Sequence, residues 1–390
     1  MMADYASDLA KTRNDIAALE LISQRDGRDP EKRVRLAYRQ FHCASLTANE
    51  CDFKAVQQTI ADILRDFGPD EDVCLLKASL DGHFHRLEDV KRDLRMCPPL
   101  GSRHAGRSVL ADVDFEEGRY GEARAALETL LDEKPTWDNL ARLAHWKGKM
   151  GHPDEADALY AEAEDELSAK EMRSFAWLEL QRGTLAVSRG RYRMAQMHYR
   201  RAASSFPGDW RTDEHVVKLL AAEGNLDAAL TLLRNVVARA PKPELQQALG
   251  ELLDQMGRTE EARPWLETAA AAFLASVQEG GVHYYHHLVH LYAGMRGREA
   301  DAVKWARKDV ILRTNFATQS ALAWALFQNG EVAEALEWIR RALSSGVQDS
   351  GIFAIASSLF QAAGDATQGE QCARAATEIN PLAHGFHVHH

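Results

Sequence analysis

The chain has little of what marks a membrane or secreted protein. Its 390 residues contain no run of 18 apolar positions, so no spanning helix of ordinary length is expected. The first residues, Met1-Met2-Ala3-Asp4-Tyr5-Ala6-Ser7-Asp8, lack a basic segment followed by an apolar one, and no signal peptide is expected. Cysteines are few: Cys43, Cys51, Cys74, Cys97 and Cys372 show no close pair spacing, which predicts reduced structural thiols and a cytoplasmic protein. Long basic runs are missing as well. With 58 acidic against 47 basic side chains, the net charge of −11 argues against nucleic acid or a membrane surface as partner. A phosphate-cradling glycine loop, a nucleophile elbow and a zinc-protease helix are all missing, so no catalytic residue is assigned.

A regular repeat takes the place of such motifs. Glycine followed five residues later by alanine recurs at Gly118/Ala123, Gly151/Ala156, Gly190/Ala195, Gly224/Ala229, Gly257/Ala262 and Gly330/Ala335, with a small-residue version at Gly364/Gly369. Successive glycines lie 33 to 39 residues apart, except for one gap of 73 that implies a degenerate copy between Gly257 and Gly330. Twelve residues after Ala123, Ala195, Ala229 and Gly369 stand Pro135, Pro207, Pro241 and Pro381. Glycine permits a tight turn after one helix, a small residue lets the next helix approach, and proline ends that second helix. Between markers, apolar residues recur at three and four, as in Ala335, Leu336, Ile339 and Leu343, which predicts amphipathic helices and almost no strand.

This pattern resembles the tetratricopeptide repeat family over roughly residues 71–381. The resemblance implies an all-α, right-handed superhelical solenoid of about nine or ten antiparallel helix pairs. Along the chain it divides into an N-terminal helical segment (1–30), divergent helix pairs (31–100), a repeat array (101–277), C-terminal units with a histidine-rich helix (278–381) and a histidine-rich tail (382–390). Since each pair covers its neighbour, one elongated array is expected instead of separate globules. The first helix of each unit would line a concave groove for a protein or peptide partner. Counting back from the markers places His145, Trp177, Lys218, Gln247, Glu251, Asp254 and Trp324 on that groove, with Glu244, Glu251 and Asp254 as an acidic stripe. Ala141, Thr184 and those acids replace the Lys, Asn and Arg pattern that clamps a C-terminal carboxylate, so that mode is not expected.

Of sixteen histidines, eight fall in Val282–Leu291 and Pro381–His390. Placing Leu288 and Tyr292 in the buried positions of a helix puts His283, His286 and His290 on one stripe, with His287 about 100° away. Imidazoles are common transition-metal ligands, and a tail folded back over roughly 20 Å would bring His387 and His389 to them. His283, His286, His290, His387 and His389 are therefore candidate ligands for Zn, Ni, Cu or Fe. The alternating pair in Asp81-Gly82-His83-Phe84-His85 reads as ordinary turn chemistry. Two functions stand: a scaffold or adaptor binding a polypeptide in its groove, or a metal-binding protein or metal-dependent enzyme built on the histidines. The oligomeric state stays open.

Overall fold

A computed structural model describes residues 4–25, 29–97 and 100–382. Among these residues there are twenty-one α-helices and no strand. A first helix, α1 (Tyr5–Arg25), precedes ten antiparallel pairs. They are α2 (Pro30–Thr47) with α3 (Glu50–Phe67), α4 (Glu71–His83) with α5 (Leu87–Met96), α6 (His104–Glu116) with α7 (Tyr120–Glu133), and α8 (Trp137–Lys149) with α9 (Pro153–Asp165). Next come α10 (Met172–Ser188) with α11 (Tyr192–Ser205), α12 (Trp210–Ala222) with α13 (Leu226–Arg239), and α14 (Pro243–Gln255) with α15 (Thr259–Gln278). The last three pairs are α16 (Tyr285–Ala293) with α17 (Glu299–Leu312), α18 (Phe316–Gln328) with α19 (Val332–Ser344), and α20 (Ser350–Ala362) with α21 (Ala366–Ile379). No helix among the described residues is long and apolar enough to cross a membrane.

The markers do what their chemistry predicts. Asp70, Asp209, Asn315 and Asp349 cap first helices, their side chains accepting from free backbone N–H groups of the opening turn. The alanines five residues after the turn glycines are at most 1% exposed, each wedged between the two helices of its pair. At Gly183 on α10 even a methyl would be too large, because a Cβ there would sit 2.1 Å from the ring of Tyr199 on α11. The supposed degenerate copy proves intact: Gly297 holds φ of 83° and Ala302 is fully buried. Its marker is displaced because α15 runs 20 residues, longer than any other second helix.

The array is coiled, not extended. Glu116 accepts a hydrogen bond from Asn315 Nδ2 at 2.9 Å, across a separation of 199 residues. The same separation joins Phe84 to His283 through their rings (4.9 Å between centroids) and Lys149 to Gln348 through a backbone hydrogen bond of 2.8 Å. One superhelical turn therefore takes six helix pairs, and successive turns touch along a seam. Tyr120 anchors it. Its hydroxyl accepts from Phe316 N–H at 2.8 Å, its ring stacks on Phe316 at 5.4 Å, and it is buried in the core otherwise built by α15 to α21. Further along, Asn380 donates to the Val187 carbonyl at 3.3 Å. At the N-terminal end Trp210 Nε1 and Arg211 donate to the Leu46 carbonyl, and the Tyr5 N–H donates to that of Pro207.

Candidate functional site

Coiling turns the groove into an interior wall, formed mainly by first helices. On α4, α6, α8 and α10 this wall borders a cavity of about 880 Å³. Its apolar lining comes from Phe41, Phe115, Trp137 and Trp177. The indoles of Trp137 and Trp177 meet edge to face at 6.1 Å, and Trp177 keeps 42% of its surface exposed. Polar side chains are set between them. Arg142 Nε donates to both carboxylate oxygens of Asp112 at 2.9 Å, and its other arm reaches Asp138 at 2.7 Å. Burial raises the carboxyl pKa of Asp112 despite that partner. Arg173 lies 2.9 Å from His42 Nδ1, while Arg313 at the seam pairs with Asp309 at 3.0 Å and approaches Glu116. His145 sits against the Phe115 ring at 5.3 Å, and burial, with Lys149 nearby, lowers its pKa to about 4. His215 behaves alike, lowered to about 4 by burial and by Lys218.

A second cavity, about 270 Å³, opens at the seam and shares His83 and His85 with the first. Five imidazoles line it: His83 at the end of α4 and His85 in the turn after it, and, one superhelical turn later, His283 in the turn before α16 and His286 and His287 at its start. The His85 and His286 rings face each other at 5.6 Å, and those of His286 and His287 lie 4.2 Å apart. His287 stacks on Phe273 and hydrogen-bonds through Nδ1 to Gln247 Oε1 at 3.1 Å, while the Gln247 amide donates to Glu251 at 2.7 Å. That chain fixes Nδ1 of His287 as the donor and leaves its Nε2 lone pair available. Burial keeps all five imidazoles neutral: His83 falls to about 4, His283 and His287 to about 3, and His85 and His286 well below their ordinary value.

The residues expected on the groove fall into two groups. His145 and Trp177 line the large cavity. Lys218 is held at 2.9 Å by Glu214, and Gln247 is buried between His287 and Glu251. Asp254 is exposed at the end of α14 and accepts from Thr259 at 2.8 Å. Trp324 packs against the core beside Phe327. Of the proposed ligands, His283 and His286 line the seam cavity and His290 does not; His287 takes its place. The helix begins only at Tyr285, so His283 lies in the preceding turn and the stripe drawn through His283, His286 and His290 is not a helical stripe. His387 and His389 lie outside the described residues. No three His, Cys, Asp or Glu side chains among the described residues stand together at metal-holding distances.

The pair read as turn chemistry, His83 and His85, is the part of the cluster that sequence reasoning missed. A signal was present. His85 stands one repeat period before Gly118, in the same turn position, and it takes φ of 58° where the later repeats place glycine and the preceding one places Ala48 at φ of 48°. A side chain held there is strained by roughly 1–3 kcal/mol, which commonly marks a functional position.

Comparison with known proteins agrees with the repeat. Models described as tetratricopeptide repeat match residues 104–129, 220–276 and 317–341. No curated relative matches the chain in sequence. Among solved structures, a human IFIT1 dimer with m7Gppp-AAAA is similar at a TM-score of 0.51 and 14% identity, covering 85% of this chain and 76% of that one. A tetratricopeptide repeat protein from Parabacteroides merdae scores 0.39 at 16% identity over 62% of this chain and 93% of that one. A thermophilic one from Thermus thermophilus scores 0.42 at 14% identity over 49% and 99%. Repeat models on three separate stretches of a continuous array of helix pairs show that the chain carries tetratricopeptide repeats.

Proposed function

We propose that this repeat scaffold binds a polypeptide segment of a partner protein on its interior wall, in the cavity between α4 and α10. The observation carrying this reading is the exposed Trp177, paired with Trp137 and bordered by Phe115 and hydrogen-bonding groups such as Gln181 and His145. Aromatic surface beside separate polar groups suits alternating apolar and amide contacts of a peptide. The IFIT1 neighbour was solved with a capped oligonucleotide, but the interior cations here favour a different class. Two arginines line the cavity: Arg142 is already neutralised by Asp112 and Asp138, so Arg173, which meets His42, is a single cation and offers little for a phosphate backbone to attract.

A photo-crosslinking phenylalanine analogue tests this directly when placed at Trp177 and, as a control, at the exposed Arg263 of the convex α15. A polypeptide adduct at position 177 alone is expected. Equal trapping at both positions, or nucleic acid trapped at position 177, contradicts the reading.

A further inference from the structure

Three buried polar atoms without a hydrogen-bond partner border the seam cavity: Nδ1 of His85, Nδ1 of His286 and Oε2 of Glu244. An orphaned buried acceptor or donor loses its water without replacement, and native proteins hold few. Here three converge on one space, and they come from different parts of the chain. His85 belongs to the first superhelical turn, while Glu244 (α14) and His286 (α16) reach the cavity from later pairs. His85 is also held in the left-handed conformation, at φ of 58°, where the later repeats have glycine. Strain and orphaned atoms meeting at one point are the pattern of a site awaiting a ligand.

We propose that the seam cavity binds a divalent transition-metal ion through His85, His286 and Glu244, with Nε2 of His287 as a further donor, and that the ion clasps one superhelical turn to the next. Mixed imidazole and carboxylate donors suit zinc and its neighbours, whereas calcium and magnesium prefer all-oxygen sets. Because the ligands do not yet stand at metal-holding distances, binding draws the α4–α5 turn towards α16 and tightens the seam. Gln247 already orients His287 from behind, the supporting contact that metal-bound histidines commonly have. His290, outside the cavity, takes no part.

Zinc content separates this site from the terminal histidines. The full chain is stripped with chelator, reloaded with Zn²⁺, desalted and assayed by elemental analysis and native mass spectrometry. It is compared in a background where His384, His387, His389 and His390 are all changed to serine. One zinc per chain is expected in that background, and none after His85→Gly or His286→Gln. His85→Gly introduces the residue that the later repeats use, so its metal-free melting temperature should not fall. Zinc should raise the melting temperature of the tail-substituted chain by a few degrees and leave that of the His85→Gly form unchanged. Loss of all zinc on substituting the tail alone, or retention of one zinc by both seam variants, overturns the proposal.

Discussion

The turns of the first superhelical coil and those of the second share one conformation and differ in what they touch. Gly118 and Gly330 hold φ of 77° and 82°, each five residues before a fully buried alanine. A Cβ on Gly118 would lie 2.4 Å from the Thr314 carbonyl oxygen, whereas one on Gly330 would meet nothing within 4 Å. The turns at Gly118 and Gly151 are thus both bends and contact surfaces, pressed against the opening of a first helix six pairs on, and that at Gly190 meets Asn380. Those of the second coil only bend. The repeat marker identifies the turn, and the superhelical pitch decides whether it must also fit a neighbour.

The largest effect should come from Gly118→Ala. It adds a backbone clash to left-handed strain and is expected to cost at least about 3 kcal/mol, against about 1 kcal/mol for Gly330→Ala. Urea denaturation of the two variants checks this, and equal costs would erase the distinction between the coils. Two residues beyond each glycine stand Tyr120 and Val332. Tyr120→Phe leaves the Phe316 N–H without an acceptor and should cost about 1–3 kcal/mol. Val332→Ala, on a partly exposed surface, should cost less than Tyr120→Phe in the same assay.

Acid probes the inner wall away from the seam. His215 has its folded-state pKa lowered to about 4, below the ordinary 6.5, so the unfolded chain binds its proton first. Its contribution is intact above pH 6.5 and is lost as pH falls from there towards 4. Melting temperatures measured across that window should fall less steeply in His215→Gln than in the parent. The smallest effect is expected at the exposed Lys54–Glu279 ion pair, 2.7 Å across the seam, where Lys54→Ala should leave the denaturation midpoint nearly unchanged.

The local fold was legible in the sequence because each helix pair repeats the same solution at near-constant spacing. Even the missed Gly297/Ala302 marker follows the rule, displaced only by the length of α15. The site was less legible, because it depends on contacts made 199 residues apart. Nothing near Asp81-Gly82-His83-Phe84-His85 indicates that α16 lies opposite. The cavity lies at the N-terminal end of α16, so His286 and His287 in its first turn line it and His290, one turn further along, does not. Gln247 looked like a groove residue from its position, and it became the buried support of His287.

Zero-length carbodiimide cross-linking of the unmodified protein tests the closed superhelix most directly. In the monomeric fraction, Lys54 should be joined to Glu279 and Lys149 to Asp349, pairs that face each other at 2.7 and 3.8 Å only if successive coils touch. Lys91–Glu117, 2.8 Å apart between adjacent pairs, serves as the internal control. Recovery of the control link with both seam links missing would contradict a superhelix that closes on itself.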